Sequence, residues 1–242
     1  MKKYKENVDF FKIIDTQEKA YFLGLLYADG YMTKVNTQKV VSLSSIDKEI
    51  IDSFQKAITT NRPVRFIDAF SRGKYNFKTI YNITISDKNF YENLYDKGLF
   101  NNKSLTLCFP SIDIVPYELT PHFIRGYFDG DGCVWEGKRY KSLIKDSTQK
   151  SGTRIRVIHN VKFTVVGSIY FIDTLQNIIV KQLGFRKTKL IGKKGVSPLY
   201  CQMEYSGRLQ MKKFYDYIYK DSTVFLERKK DKFLSILDRA NI

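Results

Sequence analysis

Two aspartates stand out by where they fall. Asp29 ends the apolar run AYFLGLLYADG (residues 20–30), and Asp131 ends PHFIRGYFDGDG (residues 121–132), 102 residues later. An acid at the C-terminal end of a helix is misplaced, because the last carbonyls there are unpaired and carry partial negative charge. Two such ends side by side repel each other unless a cation lies between them. Two carboxylates with last-turn carbonyl oxygens are hard-oxygen ligands of the kind that suits Mg²⁺, with Mn²⁺ or Ca²⁺ able to take the same positions. An Asp-Gly after an apolar run is ordinarily a turn, with the glycine suited to a left-handed conformation. Two copies in register favour the metal.

The elements that must position these acids are the apolar runs themselves. In register, Gly24 matches Gly126, Ala28 matches Gly130, and Gly30 matches Gly132. Each run is of helical length, and the first is apolar nearly all round, as in a helix buried on every side. Small residues four apart form a ridge on each helix. A mid-helix glycine costs about 1 kcal/mol relative to alanine, so a gain is required, and close approach of the two backbones along these ridges supplies it. The repeat predicts two similar halves, residues 1–110 and 121–242, joined by the acidic, proline-interrupted linker 111–120.

Composition narrows the partner. The 242 residues carry 41 Lys and Arg against 25 Asp and Glu, a net charge of +16, with 43% hydrophobic residues. A basic excess on a globular chain points to nucleic acid, with a lysine-rich structural protein as the competing reading. Cys108, Cys133 and Cys201 have no paired spacing and are read as reduced thiols of an intracellular protein, in cytoplasm or organelle matrix. No secretory signal and no membrane span are expected. With only His122 and His159, a zinc site or histidine-based nuclease is disfavoured, and no glycine-rich phosphate loop is present.

Along the chain, Asp15 or Thr16 caps the first motif helix. Residues 31–36 and 39–44 read as strands, 45–58 as an amphipathic helix, 63–69 and 75–85 as strands, and 90–95 as a short helix. After the second motif, residues 133–136 open a strand and 137–152 form a polar insertion. A long alternating strand covers 154–166, then a helix 168–183, strands 185–191 and 199–205, and helices 208–219 and 223–241. Each half therefore reads α-β-β-α-β-β-α, an α+β unit made twice, its antiparallel sheet dry toward the helices and wet outside. Such a sheet fits a DNA major groove. Lys34, Lys39, Arg72, Lys74, Lys78, Arg139, Lys141, Lys189 and Lys193 are candidates for phosphates. Asn36, Gln38, Arg65, Arg154 and Arg156 are candidates for base edges, and Lys162 is a further DNA-binding candidate. Alternation groups Lys34, Asn36, Gln38 and Ser42 on one face, and Arg154, Arg156, Ile158, Asn160 and Lys162 on another. A solvated side chain is the competing reading of any one of them.

The stretches FLGLLYADG and IRGYFDGDG resemble the two motifs of the LAGLIDADG homing endonucleases in their single-chain form. The resemblance implies pseudo-symmetric repeats packed through paired motif helices, with the sheets forming a DNA-binding saddle. It further implies a monomeric enzyme that makes a staggered double-strand break in a long, asymmetric site, encoded by a mobile element such as an intron. Carried over, it assigns metal binding to Asp29 and Asp131, with the carbonyls of Ala28 and Gly130. It assigns a nearby basic group to Lys103 in one half and to Lys229 in the other, with Arg228 close behind; helix-start charges are the competing reading. Ser45 matches a polar position at the end of the second strand, whereas its counterpart, Val165, departs from the pattern. Asp129 matches Tyr27 in the first copy and is not assigned a ligand role. A non-cleaving splicing maturase or DNA-binding regulator of the same fold is the alternative.

Overall fold

The computed structural model describes residues 3–35, 37–72, 74–142, 155–192 and 195–239. Its centre is a pair of helices, α1 (Gln17–Asp29) and α4 (Thr120–Asp131). Thr16 begins α1 as an N-cap, its side chain accepting from the Lys19 amide at 3.3 Å; Pro121 lies in the first turn of α4. Every residue from Ala20 to Tyr27 is buried, and so is every residue from Phe123 to Asp129. The glycines are the reason the axes come so close. A β-carbon on Gly24 would sit 2.9 Å from the Tyr127 amide nitrogen, and one on Gly126 would sit 2.9 Å from that of Leu25. Each would also run into a carbonyl oxygen, of Phe123 and Tyr21 respectively.

Behind α1 come β1 (Gly30–Val35), β2 (Gln38–Ser45), α2 (Lys48–Ala57), β3 (Arg65–Ile67), the ribbon β4 (Phe70–Arg72) and β5 (Tyr75–Phe77), β6 (Ile80–Ile85) and α3 (Lys88–Asp96). Behind α4 come β7 (Gly132–Ser142), β8 (Ile155–Ser168), α5 (Ile169–Leu183), β9 (Ile191–Gly192), β10 (Tyr200–Ser206), α6 (Arg208–Tyr219) and α7 (Glu227–Asp238). The sheets have matching antiparallel orders, β1-β2-β6-β3 and β7-β8-β10-β9. In each, alternate residues are buried toward the helices: Met32, Val41, Leu43, Ile83 and Ile85 in one, Val134, Val161, Phe163, Val165 and Met203 in the other.

One hydrophobic core runs through both halves. Rings join them: Tyr27 packs edge-on to Phe123, and Phe109 lies against Phe123 and Phe171 at 5.2 and 5.1 Å. Aromatic pairs of this geometry each add about 0.5–1.5 kcal/mol beyond their burial.

Several sequence expectations need correction. Gly30 and Gly132 are extended (φ −71° and −93°), not left-handed. The chain passes straight from helix to strand, and a β-carbon at Gly30 would crowd the Leu26 Cα at 2.9 Å. Residues 137–142 continue β7 instead of forming an insertion. Residues 185–190 are not a strand: Phe185 is buried against Tyr205, and the Thr188 hydroxyl pairs with Gln176 at 2.9 Å, so side chains hold this segment. The grouping of Lys34 with Gln38 and Ser42 fails on register. Lys34 pairs with Lys39 and shares the inner face with buried Met32, whereas Ser42 pairs with exposed Tyr31 on the outer face.

Candidate active site at the ends of the paired helices

Because α1 and α4 meet along their length, their last residues meet too. A β-carbon on Gly130 would lie 3.0 Å from Asp29 Oδ2. Asp131 is pushed up to about 6, by burial first and then by the charge of Asp29. Asp29 opens to solvent on one side, yet the protein packed around it still raises its carboxyl, against the pull of Lys229, Lys103 and Arg228. Two carboxylates feeling each other where the two helices end side by side is the arrangement that the repeat requires.

The basic residues arrive from outside the motif helices. Lys103 lies in a 3₁₀ turn (Lys103–Leu105) entered through Asn102, whose φ of 58° asparagine tolerates well. Its ammonium donates to the carbonyls of Gly30 (2.6 Å) and Ala28 (3.3 Å). Lys229, buried in the first turn of α7, donates to Phe128 (2.7 Å), Asp129 (2.6 Å) and Gly130 (3.2 Å). Each lysine thus neutralises one set of helix-end carbonyls. Burial lowers both lysines, Lys229 to about 8, while the aspartates oppose that shift. The Ala28 and Gly130 oxygens expected as metal ligands are therefore bonded to ammonium groups, through the longest bond that each lysine makes.

Two cavities flank the acids. One, about 280 Å³, is lined by Asp29, Ser44, Ser45, Asp47, Gly130 and Arg228 among others. The other, about 130 Å³, is lined by Asp131, Lys103, Ser104, Tyr127, Ser168 and Tyr200 among others. Ser45 lies at the first cavity. Val165 is buried toward the core, and its neighbours Gly167 and Ser168 reach the second cavity in its place. Among the described residues, no three His, Cys, Asp or Glu side chains gather as a metal-binding group. A cation here would have to be held by two carboxylates and backbone oxygens.

Sequence reasoning missed Asp129. It is buried, and accepts from Tyr21 (2.8 Å), Tyr219 (3.1 Å) and the Leu226 amide (2.8 Å). Leu226 is the residue that begins α7, so Asp129 ties Lys229's helix to α4. The buried Arg125 reinforces the tie through the Val224 and Ile218 carbonyls at 2.9 and 2.8 Å. An acid that stands where the first copy has Tyr27 was the available signal. Asp129→Ala leaves three donors unpaired, and an unmade buried bond costs about 1–3 kcal/mol. The expected result is a loss of about 3 kcal/mol or more in urea unfolding, larger than that of Asp129→Asn.

The outer sheet faces are polar and bonded laterally. Ser42 pairs with Thr84 (3.0 Å), and Asn82 donates to Ser44 (2.8 Å) with Arg65 opposite it in the ladder. Gln38, Arg65, Arg72, Lys74, Lys78 and Lys189 are exposed. Lys39 instead faces the helix layer, ion-paired with Glu92 and 5.4 Å from the Tyr91 ring. Lys162 is on the outer face but paired with Glu204 at 2.7 Å. Asn36, Arg154 and Lys193 lie outside the described residues, and for Arg139, Lys141 and Arg156 only the strand positions are described: Arg139 opposite Ile158, and Lys141 opposite Arg156.

Residues 16–97 match the family model of the LAGLIDADG-like domain. Across nearly the whole chain, three solved structures share the architecture. The homing endonuclease I-WcaI bound to its DNA recognition sequence has a TM-score of 0.60 at 14% identity, covering 93% of this chain and 90% of that one. The I-LtrWI LAGLIDADG homing endonuclease bound to target DNA has 0.58 at 12%, covering 97% and 92%. The I-SmaMI LAGLIDADG homing endonuclease bound to cleaved DNA has 0.57 at 9%, covering 95% and 91%. This is a single-chain LAGLIDADG fold. An uncharacterized protein of Methanocaldococcus jannaschii is 24% identical over 137 residues, or 54% of this chain; this chain spans about half the length, 46%, of that relative. Among the described residues, no helix is long and apolar enough to cross a membrane.

Proposed function

We propose that the protein is a site-specific DNA endonuclease that makes a staggered double-strand break in a long, asymmetric site and depends on a divalent metal. The observation that carries this reading is the meeting of Asp29 and Asp131 at the helix ends, between Lys103 and Lys229. The solved relatives of the same fold, bound to DNA, support it. Halves 1–110 and 121–242 act as the two domains of a monomer about linker 111–120, their unlike outer faces reading unlike half-sites.

The acids suit a divalent cation, Mg²⁺ in the first instance. Their oxygens are hard donors, and the raised Asp131 carboxyl marks negative charge that a cation would relieve. Asp29 and Asp131 would hold it, with the Ala28 and Gly130 carbonyls as the nearby backbone oxygens. A metal bound there would supply Lewis-acid stabilisation of phosphate oxygens and activation of water at neutral pH. The chain's own part is to bind and orient. Exposed Arg72, Lys78 and Lys189 neutralise phosphates, Gln38, Ser44, Arg65 and Asn82 offer hydrogen bonds to base edges, and Lys103 and Lys229 face charge that grows on the scissile groups.

Incubating the protein with a randomised DNA library and Mg²⁺, then sequencing the ends, is expected to recover one long site with a fixed stagger. Tight binding without ends, in Mg²⁺ and in Mn²⁺, would leave the maturase or regulator reading standing instead.

A further inference from the structure

The two cavities are chemically unlike. Beside Asp131 the walls are mainly hydroxyls, with Lys103. Beside Asp29 they carry a carboxylate–guanidinium pair, Asp47 and Arg228, brought from opposite halves. Asp47 stands at the N-cap of α2, where an aspartate ordinarily accepts from an amide of the first turn, yet its side chain makes no such bond. Both its oxygens accept from Arg228 Nε at 2.8 Å. Asp47 has thus given up its local bond for a residue 181 positions away.

Stability accounts for that exchange only in part: the Asp47 side chain is 12% exposed, but Arg228 is 50% exposed, and screening by water reduces what the pair contributes. The arginine is held through Nε, and among the described residues its terminal amino groups have no hydrogen-bond partner. They are a planar pair of donors at a cavity that also holds Asp29, the kind that takes two oxygens of one phosphate. The Asp131 cavity has no matching acid–arginine pair among its lining residues.

We propose that Asp47 is a positioning residue: it aims Arg228 at the scissile phosphate of the Asp29 cavity, and so governs the cutting of one DNA strand and not the other. This rests on the nuclease reading above. Asp47 touches no reacting atom; its effect passes through the arginine, whose misplacement by about 1 Å is enough to cost up to about a hundredfold in rate.

The test is strand-resolved cleavage of a supercoiled plasmid carrying the site that the wild type cuts, with the nicked strand identified by primer extension on each strand. Arg228→Ala identifies the strand served by that arginine. Asp47→Asn is expected to slow the same strand about tenfold or more while the other is cut at the normal rate, so that nicked circles accumulate. The double variant should be no slower than Arg228→Ala alone. Because Asp47 also begins α2, Asp47→Glu is the second variant, and should restore cutting of that strand while melting at the same temperature as Asp47→Asn. Equal slowing of both strands, additive effects in the double variant, or linear product with no nicked intermediate overturns the proposal alone. A wild type that nicks neither strand overturns the nuclease reading, and this one with it.

Discussion

Gly126→Ala is expected to destabilise the protein by about 3 kcal/mol or more, although the same change in an isolated helix stabilises it by about 1 kcal/mol. The sign reverses because the new methyl has nowhere to go. Its carbon would fall against the Tyr21 carbonyl and 2.9 Å from the Leu25 amide, both backbone atoms that no rotamer change can move. The helices must separate, and the loss then spreads. Overpacking ordinarily costs about 1–3 kcal/mol, but here the displaced seam carries the aromatic contacts of both halves and sets the spacing of Asp29 and Asp131. Gly24→Ala, facing the Phe123 carbonyl and the Tyr127 amide, should behave alike. Gly192→Ala is the control, with no atom within 4 Å of the added carbon. Urea unfolding of the three variants decides the matter; a neutral or stabilised Gly126→Ala would mean that the helices are not in backbone contact.

That seam was legible in the sequence because it is written twice. Matching Gly24 with Gly126 and Asp29 with Asp131 needs no knowledge of the fold, and burial on all sides follows from the absence of a polar face. The sheets were legible for a similar reason: period-two alternation separates Val161, Phe163 and Val165 from Asn160, Lys162 and Thr164. Contacts that join distant segments through single side chains were not legible. Asp129 reads as an unmatched acid until Tyr21, Tyr219 and the start of α7 converge on it. Lys39 reads as a loop-tip lysine until register turns it toward Glu92. Asp47 and Arg228, in different halves, have no spacing that could announce their pairing. Local pattern reports which face a residue shares, and says nothing of which partner the other half supplies.

Asp29→Asn and Asp131→Asn, each alone, are expected to reduce double-strand cleavage by about a thousandfold or more, while DNA binding and fold survive. The change is nearly isosteric and removes one charge from the pair that would hold the cation; several kcal/mol of transition-state stabilisation corresponds to that loss of rate. Stability should move the opposite way, which separates a functional acid from a structural one. In chelator, Asp131 titrates near 6 in the folded protein and near its ordinary 3.8 when unfolded. Between those values the folded state holds a proton that the unfolded chain has lost. Stability therefore falls as pH rises from about 4 to about 6, and the full penalty persists above. A shift of that size corresponds to at most about 3 kcal/mol, so with partial exposure a gain of about 1–2 kcal/mol is expected for Asp131→Asn at pH 7.5, vanishing below pH 4. Mg²⁺ should raise the melting temperature of the wild type by mass action and leave that of the double variant unmoved. A protein that loses stability on Asp131→Asn, or that melts identically in Mg²⁺ and in chelator, would have acids that serve the fold and no bound cation between them. The cleavage assay would then have to find its chemistry elsewhere.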